Sequence, residues 1–125
     1  MMIRSSRIWT SPQHLGQAAE ALSANYLAKH HFKIVARNYR YQRAEVDIIA
    51  QKNRLLVFVE VKARSNDQFG EPETFVSPQQ QNLIRIAAEH YIITQDWGHA
   101  IRFDIIAVYK RHHQLQLTHF EDAFY

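Results

Sequence analysis

The feature that most constrains this chain is the run Leu55-Leu56-Val57-Phe58-Val59, five apolar residues that lead without a break into Glu60-Val61-Lys62. A strand with one wet face alternates apolar and polar residues, whereas a strand that is apolar throughout needs cover on both faces. Two helical segments are available to supply that cover. Ser11 followed by Pro12 reads as an N-cap with proline at the first helical position. Leu15, Ala18, Ala19, Leu22 and Tyr26 then recur at helical spacing as far as about His30. Ser77 and Pro78 open a second helix in the same way, with Leu83, Ile84, Ala87, Ala88 and Tyr91 on its inner side. Strands are predicted over residues 32–38, 45–50 and 55–61, and alternation over 101–109 and at Leu115 and Leu117 adds two more. The predicted fold class is α/β, a mixed central sheet of about five strands flanked by helices. Residues 63–76 hold Gly70, Pro72 and several charges without periodicity, and read as a loop.

The length of 125 residues suits one domain, 1–125, with a core of its own. The absence of Cys excludes a disulfide framework, a thiol nucleophile and an iron–sulfur site. The 8 histidines form no HxxxH pair on a helix, which argues against structural zinc. No Gly-rich phosphate loop and no GxSxG elbow occur. Apolar runs stop at five residues, far short of the roughly 18 that a membrane helix needs, so no membrane partner is expected. Residues 1–9 carry Arg4 and Arg7 with no apolar stretch behind them, and a cytoplasmic location is the expectation. The net charge of +3 permits a nucleic-acid partner without arguing for one.

The chemistry follows from the hairpin joining the second and third strands. If its turn is centred between Asn53 and Arg54, opposed residues have numbers that sum to 107, so Asp47 faces Glu60 and Glu45 faces Lys62. A period of two then keeps all four side chains on one face. A loop of odd length would slip the register and separate them. Neighbouring carboxylates resist desolvation unless a cation lies between them, and Mg²⁺ or Mn²⁺ meets that need with one or two carboxylates, waters and a phosphate oxygen. Lys62 would orient an attacking water or neutralise charge on a phosphate, and the Val61 carbonyl could be a further metal ligand. The same four residues would also suit a salt-bridged ladder on a solvated face. Arg37, Arg40 and Arg43 interleave with Tyr39 and Tyr41, offering cations for phosphates and aromatic faces for bases, or else an ordinary solvated strand end.

Asp47 with Glu60-Val61-Lys62 at a strand end resembles the PD-(D/E)xK core of restriction-endonuclease-like nucleases. The likeness extends to Gly16, Ala19 and Glu20, to Arg37-Asn38 and Arg40, to Glu45-Val46-Asp47-Ile48-Ile49-Ala50 and to Val57-Phe58-Val59-Glu60-Val61-Lys62 with Arg64. It continues through Phe69-Gly70 with Pro72, Arg102-Phe103-Asp104 and Asp122-Ala123-Phe124. Together these resemble the bacterial YraN-like family, uncharacterised proteins related to Holliday junction resolvases. The resemblance implies that Asp47 and Glu60 bind a catalytic Mg²⁺ or Mn²⁺, that Lys62 serves the attacking water, and that Glu20 reaches the same site from the first helix. It also implies a DNA partner, met by Arg37, Arg40, Arg43, Arg64 and Gln80, and by analogy with resolvases a homodimer. Glu20 would equally suit an exposed helix surface. Two positions depart from the family pattern: Ala44 stands where a Gly is usual, and Gln79-Gln80-Gln81 stands where a Lys is usual near position 80. Ser77-Pro78-Gln79-Gln80 also fits a capping box in which Gln80 reaches back to the Ser77 backbone. The expected activity is metal-dependent hydrolysis of DNA, with a non-cleaving nucleic-acid-binding module of the same fold as the rival and a protein-interaction subunit as a weaker third.

Overall fold

The computed structural model describes residues 2–4, 12–65 and 76–125. The Ser11 cap, Phe69-Gly70 and Pro72 lie outside the described residues. The elements, in chain order, are β1 (Met2–Arg4), α1 (Pro12–Lys29), β2 (Lys33–Tyr41), β3 (Ala44–Lys52), β4 (Leu55–Arg64), α2 (Pro78–Thr94), β5 (Ala100–Arg111) and β6 (Gln114–Phe124). They form one six-stranded sheet in the order β1-β6-β5-β4-β3-β2. The strand β1, a three-residue edge piece paired to β6, is an addition to the five strands read from the sequence. Every neighbouring pair is antiparallel except β4 and β5, which run parallel at the centre with α2 as the crossover. The class is α/β, with the layout of a restriction-endonuclease-like core.

The apolar run behaves as its composition requires. Val57 and Val59 pack on the α1 side with Leu15, Ala19, Leu22 and Leu27, and Leu56 and Phe58 pack on the α2 side with Ile84, Ala87 and Ala88. All four strand residues are 1% exposed or less. Each such side chain contributes about 1.5–3 kcal/mol by leaving water, so β4 anchors both layers. Neither helix is long and apolar enough to cross a membrane.

The turns follow from local stereochemistry. Lys52 pairs with Leu55 across a two-residue turn at Asn53 and Arg54, and Asn53 takes the left-handed φ of 55° that Asn tolerates. The β5–β6 turn places both His112 and His113 at positive φ, the signature of a type I′ hairpin. His112 and His113 are exposed in this turn, and Lys110 and Arg111 before it are paired in β5.

Candidate functional site

The predicted hairpin register holds where the ladder is regular: Lys52↔Leu55, Gln51↔Leu56, Ala50↔Val57, Ile49↔Phe58 and Ile48↔Val59. Pairing then lapses where Asp47 would meet Glu60. On the other side of β3, Arg37 pairs with Ile48 and Tyr39 with Val46, and the pair between them, Asn38 and Asp47, is skipped. Asn38 has φ of 51°, so β2 kinks there, as a bulge or twist does beside a site. Core membership shows the result for β3. Ile48 and Ala50 belong to the α1 side, but Ala44 and Val46 belong to the α2 side. The period-two count that put Glu45, Asp47, Glu60 and Lys62 on one face is thus broken at Asp47, and the expected Glu45–Lys62 pairing gives way to other partners.

The break brings the central pair together by another route. Asp47 Oδ2 accepts the Val61 N–H at 2.8 Å, taking the donor that the main chain of β3 would bond in a continued ladder. Its carboxyl group lies beside that of Glu60, close enough for each to shift the other's proton affinity. Lys62 Nζ lies 3.4 Å from Glu60 Oε2, and the same oxygen accepts the Gln80 side-chain amide from α2. Asp47, Glu60 and Gln80 line a cleft of about 200 Å³ together with Arg43, Glu45, Leu83 and Ile84, and Lys62 reaches Glu60 without lining it. Burial is the largest influence on both acids and raises both, and the charge of Asp47 adds to it for Glu60, against the opposing Lys62. The Glu60 carboxyl is pushed up to about 8, because burial and the Asp47 charge both disfavour a second negative charge in this pair.

Glu20 approaches from α1. Asn38 Nδ2 donates to Glu20 Oε1 at 2.9 Å and to Glu45 Oε1 at 3.3 Å, tying helix to sheet at the kinked residue. Burial, the largest influence, and the charges of Asp47 and Glu45 raise the Glu20 carboxyl, and the Asn38 hydrogen bond and Arg37 oppose them. Four carboxylates therefore gather at this end of the sheet. Arg37 lies 4.0 Å from Glu20, and Arg40 lies 3.3 Å from Glu45. Arg43 is exposed in the β2–β3 turn, and Arg64 is exposed at the end of β4, bonded to the Ala63 carbonyl at 2.9 Å.

Two expectations are corrected here. Ser77 does cap α2, accepting the Gln80 N–H at 3.1 Å, but the reciprocal arm of the capping box is absent because the Gln80 side chain goes to Glu60. Tyr39 and Tyr41 are not free faces interleaved with the arginines. The Tyr39 hydroxyl bonds His90 Nδ1, and Tyr41 stacks on the His90 ring at 3.9 Å, so both rings brace β2 against α2.

Sequence reasoning missed a second buried acid. Asp104 on β5 is fully buried and accepts Nε and Nη2 of Arg102 at 2.8 Å each, His119 Nε2 at 2.7 Å and the Asp122 N–H at 2.9 Å. The Tyr26 hydroxyl completes the chain on His119 Nδ1 at 3.0 Å. Burial, the largest single influence, would raise this carboxyl, yet the bonds from His119, Arg102 and Asp122 together hold it below the usual range. The one available signal was an aspartate inside an otherwise apolar strand.

Metal fit can be judged from the donor set. Among the described residues no three or more His, Asp or Glu side chains converge into a metal cage. Half-buried Asp47 and buried Glu60 instead offer two adjacent acids in an open cleft, the set that suits a hydrated Mg²⁺ or Mn²⁺. The two acids fit such an ion.

Fold and cleft together define an α/β domain with a restriction-endonuclease-like core and paired acids at a break in its sheet. Residues 19–108 match the family described as Uncharacterised protein family UPF0102. The chain is 49% identical over 111 residues to a UPF0102 protein of Flavobacterium psychrophilum, covering 89% of this chain and 93% of that one. It is 38% identical over 122 residues to a UPF0102 protein of Chlorobium phaeobacteroides, covering 92% and 96%, and 40% identical over 111 residues to one of Bacteroides fragilis, covering 89% and 92%. The chain belongs to the UPF0102 family.

Proposed function

We propose that this protein is a divalent-metal-dependent endonuclease that hydrolyses DNA phosphodiester bonds, with branched, Holliday-junction-like DNA as its candidate substrate. The observation that carries the reading is the pairing of half-buried Asp47 with buried Glu60 where the β3–β4 ladder lapses, Asp47 taking the Val61 N–H. A protein gains no stability from two desolvated acids in contact, so their retention calls for a cation that restores the second charge.

Asp47 and Glu60 would hold the ion, with the Val61 carbonyl as a further ligand on the same edge of β4 as the Val61 N–H. When bound, Mg²⁺ or Mn²⁺ supplies Lewis-acid polarisation of the scissile phosphate and lowers the pKa of water. Asp47 is fixed in aim by the Val61 N–H. Glu60 gives up its proton before it can act as a ligand, which ties activity to rising pH. Lys62, released from Glu60, neutralises charge growing on the phosphate or orients the attacking water. Gln80, turning from Glu60, offers its amide to a phosphate oxygen in place of the lysine common in relatives of this fold. Glu20 adds negative potential beside Asp47 from α1. Arg43, which lines the cleft, and Arg37, Arg40 and Arg64 would supply phosphate contacts, and two symmetric cuts in a four-way junction would take a homodimer.

Calorimetric titration of Mn²⁺ and Mg²⁺ into wild type and Asp47→Ala, with cleavage assays on linear, single-stranded and four-way-junction DNA, tests the reading. Binding and cleavage in wild type, both lost in a folded Asp47→Ala protein, are expected. Unchanged metal affinity and cleavage in that variant would sink the site assignment.

A non-cleaving DNA-binding module is the second reading, favoured by one observation: Gln80 already satisfies Glu60 without metal. DNA affinity that persists in EDTA with steep salt dependence, and no product with any divalent ion, would select it.

A further inference from the structure

Two concavities lie at the other end of the sheet, about 17 Å along β4 from Glu60 at the usual rise per residue. One, of about 430 Å³, is lined by Lys52, Arg54, Arg102, Tyr26, Phe32 and His119, among others, with Glu121 as its one acid. A second, of about 380 Å³, shares Lys52 and Asn53 with it and adds Lys33 and His31. The two adjoin at Lys52 and Asn53 of the β3–β4 turn, and across this groove cations outnumber acids.

Arg102 is the informative residue. Nε and one Nη2 hydrogen are spent on Asp104, which is itself locked by His119 and the Asp122 N–H. Nη2 lies 3.8 Å from Glu121, whose side chain is 63% exposed. Nη1 and its two N–H groups have no protein partner among the described residues. The guanidinium plane is therefore fixed from behind by a buried carboxylate, with its outer edge left for a ligand. A preoriented fork of this kind suits the paired oxygens of a phosphate and loses little entropy on binding. Lys52 and Arg54 stand at the turn without an acid partner among the described residues, Lys52 Nζ lying over the Phe32 ring at 5.3 Å. Both offer long, adjustable cations to the same ligand.

We propose that this groove is a phosphate-binding site separate from the acidic cleft, in which Arg102 grips one phosphate and Lys52 and Arg54 hold the same or the next one. The ligand is a phosphate ester, either the backbone of a polynucleotide or a small nucleotide. The assignment goes beyond the endonuclease reading and does not depend on cleavage.

The test is amide and arginine Nε NMR of the full chain in EDTA, titrated at low salt with a 12-base-pair DNA duplex, with dAMP and with inorganic phosphate. Saturable shifts at Asn53, Arg54 and the Arg102 Nε are expected. The Lys52→Gln/Arg54→Gln double variant, which touches no core residue, should weaken them about tenfold or more. Shifts driven by the duplex at concentrations where dAMP and phosphate do nothing identify a polynucleotide backbone, and equal response to dAMP identifies a small ester. Shifts confined to the β2 arginines, no shift at the groove with any probe, or groove shifts unchanged in the double variant would overturn the proposal. Asp47→Ala should leave the groove response intact, so a chain that fails to cleave can still bind here, and a cleaving chain can still fail this test.

Discussion

Two buried acid sites in this protein are treated in opposite ways by the same sheet. Asp104 is fully buried and yet held below the usual carboxylate range, because a guanidinium, an imidazole and a main-chain N–H converge on it. Glu60, at 7% exposure, is pushed up to about 8, because burial disfavours its charge, neighbouring Asp47 adds to that and Lys62 only partly offsets both. Burial is common to both, so the partners decide the outcome. A fold that can satisfy one buried carboxylate with four hydrogen bonds has no difficulty satisfying a second. The acid left short of partners is the one available for chemistry.

That contrast can be broken at several points. Asp104→Asn should be the most damaging, costing about 3–5 kcal/mol in urea unfolding, since it removes the buried charge on which Arg102, His119 and the Asp122 N–H converge. An unchanged midpoint would mean that the Arg102–Asp104 clamp is not structural. Lys62→Met should leave the midpoint close to wild type while cutting cleavage about 100-fold, or about 2.7 kcal/mol of transition-state stabilisation. Equal rates would remove Lys62 from the reaction.

Glu60→Gln should act on stability in the other direction. In the folded chain Glu60 keeps its proton up to about 8, whereas its ordinary value is 4.5. Between those values the folded form holds a proton that the unfolded form has lost, so stability falls as pH rises through this window. Glutamine imitates the protonated acid at every pH. The metal-free variant should match wild type near pH 4 and exceed it by about 1–3 kcal/mol at pH 8. Added Mn²⁺ should reverse the order by stabilising wild type alone. Thermal melts across pH, with and without the ion, check both halves. The smallest effect is expected for Gln80→Lys. An ammonium beside Glu60 should lower its pKa and flatten the alkaline loss of stability by about 1 kcal/mol or less at pH 8.

The central hairpin was legible because two independent signals agreed, the apolar run 55–59 and the short polar stretch before it, and together they fixed the register as far as Ile48↔Val59. What lies past that pair was not legible. The parity change at Asp47 depends on Asn38 adopting a left-handed φ on the neighbouring strand, and no glycine marks the position. The Asp47–Glu60 contact was thus reached from a count that fails two residues later, at Glu45 and Lys62. Gln80 was read through its own helix, whose cap explains its main chain, whereas its side chain answers to Glu60 twenty residues away. The Asp104 clamp draws on β5, β6 and α1, joined by a pairing that shifts register between Phe103 and Ile105. Spacing along one segment carries no trace of such a meeting.

The single parallel pairing has a consequence for the order in which the chain assembles. The strands β2, β3 and β4 are joined by two-residue turns, as are β5 and β6, so two antiparallel pieces can form from contacts close in sequence. The ladder from Leu55↔Ala100 to Arg64↔Tyr109 spans 45 residues at every rung and closes only after α2 has crossed over. Closing a loop of that length is the entropically slow step. Docking of β5 on β4 is therefore the event that commits the chain, and the α2 crossover that permits it lays its apolar side on Leu56 and Phe58. Asp47 meets Val61 within the first piece and Asp104 meets His119 within the second, so each acid finds its sheet partner before the halves join.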